Sequence, residues 1–343
     1  MRHLMNTNGC DIDAHIMHTG KLTCQQRANL NLNDKSRAFK RHFKSLQALW
    51  QIIAHPARFA PPQPLPVALP DWNDFFNAQH DMRFIWLGHS SLLCSSGKTT
   101  VLIDPIFARY AAPIPFIIKR FQKPPLAITE LPPIDWILIT HNHYDHLDKK
   151  TIRYFSKHTT KFVIPRGLEN FFIRLGIQRQ RIFALNHWES LTLNDITLHS
   201  VPARHYSGRH LFDHNRSLCA AYVLQTPFEK FFFSGDTAFG NGDHFRAIAA
   251  RFGAFDFVFM ENGQYHCAWH NHHLMPDETI AAVKILQARC WTPIHWGAYA
   301  LSTHLWHESV SQTWALTQKT CLKMCTPRLG AVFSRTHESD KWW

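Results

Sequence analysis

The sequence predicts an α/β protein (α+β in some schemes) of two β-sheets flanked by helices, and three observations carry that expectation. Short apolar runs of strand length follow one another early in the chain. Later in the chain they pair with helical patterns, whereas a doubly wound sheet would alternate strand and helix throughout. The chain has 343 residues, 45% of them hydrophobic and 18% charged, which is enough to bury a large core without a disulfide framework.

The elements follow in order. Residues 1–41 form a polar, basic lead. In RHFKSLQALWQIIAHPARF, Phe43, Leu46, Leu49, Trp50 and Ile53 recur at helical spacing behind Lys40, Arg41 and Lys44. A basic amphipathic helix is expected there, suited to a membrane interface or to packing on its own domain. Pro56, Pro61, Pro62, Pro64 and Pro66 forbid its continuation. Strands are expected over 82–88, 100–104, 136–140, 161–165, 196–203, 220–226, 230–236 and 255–261, where β-branched and aromatic residues stand between turn formers. Helices are expected over 149–157, 242–252, 276–289 and after Leu305. The organisation is therefore a basic, proline-containing N-terminal extension with one amphipathic helix (1–79), followed by a dense body (80–343).

Lys and Arg number 37 against 25 Asp and Glu, a formal charge of +12 that favours an anionic partner. Residues 1–60 hold nine of the cations and three Asp. No apolar run approaches the roughly 18 residues of a membrane span, and MRHLMNTNGC lacks a secretory signal's apolar stretch. The expected location is cytoplasmic, with peripheral membrane contact compatible. Eight cysteines without a C-x-x-C pair argue against zinc ribbons and redox dithiols, leaving free thiols in a reducing compartment. Cys321 and Cys325, at helical spacing, are expected in the core.

The chemistry concentrates after the strand WILIT, where His141, His143, Asp145 and His146 fall within six residues. Imidazole and carboxylate are ligands that zinc accepts; His141 and His143 can converge on one ion while Asp145 and His146 turn toward a second. Further candidates stand at other strand ends: His205, Asp236 and His295. Asp104, closing TVLID, and His89, after WLG, read as orienting residues behind the ligands or as structural hydrogen-bonding groups.

The order His-x-His-x-Asp-His, a lone His, Gly-Asp-Thr, and a lone His resembles the metallo-β-lactamase superfamily. More specifically, WLGHSSLL (86–93), IDPIFARYAAP (103–113), ELPPIDWILITHNHYDHLD (130–148), PARHYSGR (202–209), FFFSGDTAFG (231–240) and PIHWGAYALS (293–302) look like N-acyl-phosphatidylethanolamine phospholipase D and its bacterial relatives. The likeness covers roughly residues 80–335, and the segment 266–278 follows the family only in part. It implies an αβ/βα four-layer sandwich of two mixed sheets, with residues 80–343 as the hydrolase domain. It also implies two zinc ions per chain, another divalent metal being compatible. The first would be held by His141, His143 and His205, the second by Asp145, His146 and His295, with Asp236 bridging.

Paired metals lower the pKa of a shared water to about 7, so the expected reaction is attack of hydroxide on a phosphodiester, with Asp145 and Asp236 at the centre. The resemblance implies a glycerophospholipid substrate cut on the phospholipase D side, and it places His273 near the metals as a proton donor or phosphate ligand. His266, His270 and His272 rank below His273. In PIPFIIKRFQKPP, Phe116, Ile117, Lys119, Arg120 and Phe121 suit an acyl chain and its headgroup, with His272 a further substrate contact; a loop docked on the body with snorkelling cations is the alternative. The rival functions are a metal-dependent lactone or soluble phosphate-ester hydrolase on the same fold, and a nonenzymatic metal- or lipid-binding protein. No nucleic-acid partner is expected, and a homodimer is compatible.

Overall fold

The computed structural model describes residues 43–78, 81–114, 117–210 and 212–343. The chain divides into Met1–Phe43 and Lys44–Trp343, and the architecture below is that of the second unit. A helix runs over residues 43–54 (α1), followed by the short α2 (Trp72–Phe76), which Asp71 caps through the backbone NH groups of Asn73 and Asp74.

Among the described residues, fourteen strands build two seven-stranded mixed sheets. The first holds β1 (Arg83–Trp86), β2 (Leu92–Ser95), β3 (Thr100–Ile103), β4 (Trp136–Leu138), β5 (Lys161–Pro165) and β6 (Ile182–Leu185), closed by β14 (Val332–Phe333) beside β1. The second runs in order from β7 (Ser190–Leu193) through β8 (Ile196–Pro202), β9 (Ala220–Gln225), β10 (Lys230–Phe233), β11 (Phe257–Glu261) and β12 (Cys290–Ile294) to β13 (Lys323–Met324). In each, antiparallel ladders give way to parallel ones, at β3–β4 in the first and at β10–β11 in the second. Parallel strands need crossover connections, and α3 (Lys149–Ser156), α4 (Glu169–Arg174), α5 (Asp243–Phe252) and α6 (Pro276–Ile285) supply them, with α7 (Glu308–Thr317) leading into β13.

Period-two alternation sorts the side chains. Phe84, Trp86, Leu92, Cys94, Val101 and Ile103 of the first sheet join Val201, Tyr222, Leu224, Phe231 and Phe259 of the second in one inter-sheet core. The intervening Ile85, Leu93, Leu102 and Ile137 face α3 and α4, against Ile152, Phe155 and Phe172. Helices α5, α6 and α7 cover the other sheet with Phe245, Ile248, Ile280, Val283 and Val310. The result is the four-layer αβ/βα sandwich expected from the sequence.

Beyond the eight expected strands, β2, β6, β7, β12, β13 and β14 are present, and two further details depart from expectation. Helix α6 stops at Ile285 rather than 289 because Gln287 takes a left-handed φ of 50°, which turns the chain into β12. Cys321 is exposed while Cys325 is buried; α7 has ended at Thr317, so the helical spacing between them is not realised. No helix among the described residues is long and apolar enough to cross a membrane.

Candidate metal centre

One rim of the sandwich collects the ends of six strands. The chain leaves β4 for a turn carrying His141, His143, Asp145 and His146; β8 leads to His205, β10 to Asp236, β12 directly to His295, β3 to Asp104, and β11 ends on Glu261. Close approach is built into the backbone. Gly235, at φ +55°, would place a Cβ 2.8 Å from the Thr140 side chain, so only glycine lets the end of β10 bring Asp236 beside His141. His89, Asp104 and His295 take left-handed φ of 54°, 42° and 69°, strain of the kind that clusters at functional sites.

Two groups of donor atoms take up the seven candidates, and a third, Asp236 with His273 and His295, overlaps them. In the first, His141, His143, His205 and Asp236 each bring a ligand atom within 4.8 Å of the others. His143 Nδ1 stands 3.0 Å from His141 Nε2 and 3.2 Å from His205 Nε2, and both of those nitrogens lie 3.7 Å from Asp236 Oδ2. In the second, Asp145, His146 and His295 are joined by His89. Asp145 Oδ2 lies 3.3 Å from His295 Nε2, 3.6 Å from His146 Nε2 and 2.9 Å from His89 Nε2. Asp236 reaches this group too, with Oδ1 3.0 Å from His146 Nε2 and Oδ2 3.2 Å from His295 Nε2. The structure thus brings together all seven sequence-predicted ligands, with Asp236 between the two groups.

The chemistry of the pocket fits divalent metal. His146 Nε2 and Asp236 Oδ1 are buried, and neither completes a hydrogen bond although they face one another; orphaned atoms of this kind ask for a ligand of another sort. Burial holds His141 and His205 well below the usual imidazole range, so they are neutral and present lone pairs. Against the penalty of burial, His146 and His295 hold Asp236 well below the carboxylate range, and His146 and the hydrogen bond from His295 do the same for Asp145. Conversely, burial lowers His295, but Asp236 and Asp145 outweigh it and push it up to about 10. Two buried carboxylates demand positive charge, which zinc or a comparable ion would supply in place of those protons.

A supporting layer orients the donors. Asp104, fully buried, accepts from Thr140 N at 2.8 Å and Thr140 Oγ1 at 2.6 Å, and its Oδ2 lies 2.7 Å from His146 Nδ1. This turns His146 Nε2 inward. His205 Nδ1 lies 2.9 Å from the His272 carbonyl, and His295 Nδ1 lies 3.3 Å from that of Gly263. His272 meets the site through its backbone and also packs its ring edge-on against His205 and on Tyr206. His273 stacks on His295 with centroids 5.1 Å apart and holds Glu261 Oε1 at 2.5 Å through Nδ1.

Three contributors escaped the sequence reading. Glu261 is a lone carboxylate closing an apolar strand; its only signal was its place at the same rim, and it also accepts from Thr237 N. Arg209 is buried and donates through one nitrogen to the carbonyls of Asn142, His143 and Leu147, fastening the ligand turn while lying 3.9 Å over the Tyr144 ring. Tyr299 packs edge-on against His89.

The expected substrate loop is divided by the structure. Lys119, Arg120 and Phe121 line a cavity of about 840 Å³ together with Ile52, Ile53 and Phe107. Ile117 does not line it, and Phe116 lies outside the described residues. Arg120 is not free for a headgroup: its guanidinium is buried, donates to the carbonyls of Ile106, Ala108 and Gln122, and stacks on Tyr299 at 4.5 Å.

A profile described as "Beta-lactamase superfamily domain" matches residues 99–296, more than half of the chain and every ligand candidate. The chain belongs to the metallo-β-lactamase superfamily. Among its superfamily relatives, an uncharacterized protein of Mycobacterium tuberculosis is 30% identical over 86% of this chain and 80% of its own length. The N-acyl-phosphatidylethanolamine-hydrolyzing phospholipase D 1 of Caenorhabditis elegans is 31% identical over 67% of this chain and 68% of that protein. The mitochondrial enzyme of the same description from Saccharomyces cerevisiae is 34% identical over 63% of this chain but 48% of its own. Of solved structures, the metallo hydrolase Igni18 from Ignicoccus hospitalis aligns over 76% of this chain and 99% of its own, with a TM-score of 0.56 and 15% identity. An isothiocyanate hydrolase from Delia radicum gut bacteria aligns over 74% and 99%, at 0.59 and 18%. These two share the superfamily fold. The protein is a metallo-hydrolase of that fold, with His/Asp clusters able to hold metal ions.

Proposed function

We propose that this protein is a zinc-dependent phosphodiesterase that cleaves N-acyl-phosphatidylethanolamine or a related glycerophospholipid with phospholipase D regiochemistry. The observation that carries this reading is the conjunction of a two-group ligand centre with the apolar, cation-rimmed cavity of about 840 Å³, in a chain 31% identical to an enzyme of that name. No ligand candidate lines the cavity, but side-chain contacts run from its wall to the centre: Arg120 donates to Tyr299 Oη at 3.1 Å, Tyr299 packs on His89, and His89 faces Asp145. An acyl chain has apolar walls in Ile52, Ile53, Phe107 and Phe121, and an anionic headgroup has Arg109, Lys119 and Lys123.

His141, His143, His205 and Asp236 would hold one ion, and Asp145, His146, His295 and Asp236 the other. Bound there, divalent metal supplies a water of lowered pKa and neutralises phosphate charge. Asp145 and Asp236 fix the geometry, and His89 restrains Asp145 from behind. His273, held by Glu261, would pass a proton to the departing alkoxide. Water then adds across the P–O bond to the ethanolamine side, giving N-acylethanolamine and phosphatidic acid.

Mass-spectrometric analysis of products from mixed phospholipids containing N-acyl-phosphatidylethanolamine tests this, alongside turnover of bis-p-nitrophenyl phosphate. Release of both products is expected. Intact lipid with turnover of the soluble ester would replace the lipid substrate by soluble esters or lactones, and absence of both activities in metal-loaded protein would overturn the hydrolytic reading.

A further inference from the structure

Behind His295, on the side away from the donor atoms, five tryptophans converge. Two of them belong to the segment that leaves β14 in the first sheet and returns to the second. There Ser339 Oγ accepts from Thr326 N at 2.8 Å and the Asp340 carbonyl accepts from Thr326 Oγ1 at 3.1 Å, just past β13. Trp342 and Trp343 are fastened through their indole nitrogens, which donate to the Thr326 carbonyl at 2.9 Å and to Ser311 Oγ at 3.0 Å. Both rings reach Trp296: Trp342 stacks on it with centroids 5.6 Å apart, and Trp343 meets it edge-on at 5.9 Å. Trp296 is also stacked on Trp86 at 5.1 Å, and Trp343 packs on Trp314 of α7 at 5.5 Å.

Trp296 is the residue after His295, and the backbone couples the stack to the ligand. Trp86 Nε1 donates to the His89 carbonyl at 2.8 Å, the same carbonyl accepts from His295 N at 3.0 Å, and His89 N donates to the Trp296 carbonyl at 2.8 Å. Gly297 lets the rings close, since at φ +74° a Cβ there would stand 2.7 Å from the Trp86 ring. Within this frame His295 keeps a left-handed φ of 69°, a conformation that persists in a residue other than glycine only when its surroundings impose it. Its Nε2 faces Asp145 at 3.3 Å and Asp236 at 3.2 Å, and metal–ligand distances tolerate only about 0.2 Å of drift. We propose that residues 339–343 are a strap whose indoles hold Trp296 in place and thereby position His295, so that Trp342 and Trp343 are positioning residues for the second ligand group. The first group is secured by other means: Arg209 fastens the turn that carries His141 and His143, and the His272 carbonyl holds His205. The inference rests on the two-ion reading above and is independent of the substrate.

The test is zinc titration with chelator competition on the full chain, in two backgrounds. With His141→Ala the ion that remains occupies the Asp145/His146/His295 group; with His295→Ala it occupies the other. Trp342→Ala should weaken zinc by about tenfold in the first background and by less than about twofold in the second. Trp342→Phe, which keeps a stacking ring, should restore affinity to within about threefold of the parent. A residue that only adds stability would weaken both backgrounds alike; that result, or a phenylalanine variant as weak as the alanine one, overturns the strap. Where alanine leaves too little folded protein by its denaturant midpoint, Trp342→Leu takes its place with the same expectations, because it removes the stacking ring and leaves a smaller cavity. An unsubstituted chain that takes up fewer than two zinc ions removes the two-ion reading and the proposal with it, whereas two ions with equal losses in both backgrounds removes the strap alone.

Discussion

Replacing Asp104 by Asn isolates the role of one buried carboxylate. Asparagine tolerates the left-handed φ of 42°, so the backbone is preserved, and the change exchanges one acceptor oxygen for a donor. Asp104 Oδ1 accepts from Thr140 N, whereas Oδ2 faces both Thr140 Oγ1 and His146 Nδ1. With its amide nitrogen at the Oδ1 position, the new side chain points a donor at the Thr140 NH. With the nitrogen at the Oδ2 position, it meets His146 Nδ1–H, and the imidazole escapes the clash only by moving its proton to Nε2, the atom that faces Asp236 and would ligate metal. The first arrangement costs about 1–3 kcal/mol for a buried unsatisfied donor. The second converts the ligand nitrogen into a donor, and loss of such an orienting partner typically costs 10–100-fold in metal affinity. The expected outcome for Asp104→Asn is a 10–100-fold weaker affinity at the Asp145/His146/His295 group, with a smaller loss at the other group, where Thr140 Oγ1 links Asp104 to His141 Nδ1 at 3.0 Å. Chelator competition and elemental analysis read this directly. Equal affinity at both groups with unchanged stability would refute the orienting role.

Arg209→Met should lower stability by about 2–3 kcal/mol, because three carbonyls of the ligand turn lose a charged donor; denaturant midpoints check it, and a loss below about 0.5 kcal/mol would make the clamp incidental. Burial, aided by Arg204, lowers His244 to about 4, whereas the unfolded side chain titrates near 6.5. The unfolded state therefore binds the extra proton between those values, and stability falls as pH drops from about 6.5 to about 4, by about 1–2 kcal/mol after allowance for partial exposure. His244→Gln should flatten that part of the stability curve, and an identical slope would refute the assignment. Exhaustive chelation should lower the unfolding temperature and restored metal should recover it, since an ion bound by the folded chain alone stabilises it by mass action; a melting curve indifferent to chelator would count against the centre.

The sequence was most informative where residue type is least replaceable. Four donors within six residues after WILIT fit no ordinary packing role, and His205, Asp236 and His295 each follow an apolar run that delivers them to the rim. Glu261 and Arg209 were hidden because a single carboxylate at a strand end, or a single arginine in a loop, has many ordinary uses, and only the fold shows what each touches. Strands β13 and β14, two residues each, exist through pairing with neighbours rather than through any local pattern, and β7 is too exposed to alternate clearly. The amphipathic character of α1 was legible, but which side faces water was not: periodicity gives a face, and only tertiary contact decides what it meets.

The chain order of the two sheets has a consequence for how damage would show. Residues 83–185 form nearly all of one sheet and 190–324 all of the other, and the donor atoms are shared out accordingly, four from the first stretch and three from the second. Neither half can assemble a complete site, so the centre exists only while the two halves keep their mutual alignment. It acts as a gauge of that alignment. A substitution deep between the sheets, at Phe84 or Phe259 for instance, whose rings meet at 5.0 Å, would be registered at the rim as weakened metal retention before either sheet had lost a strand.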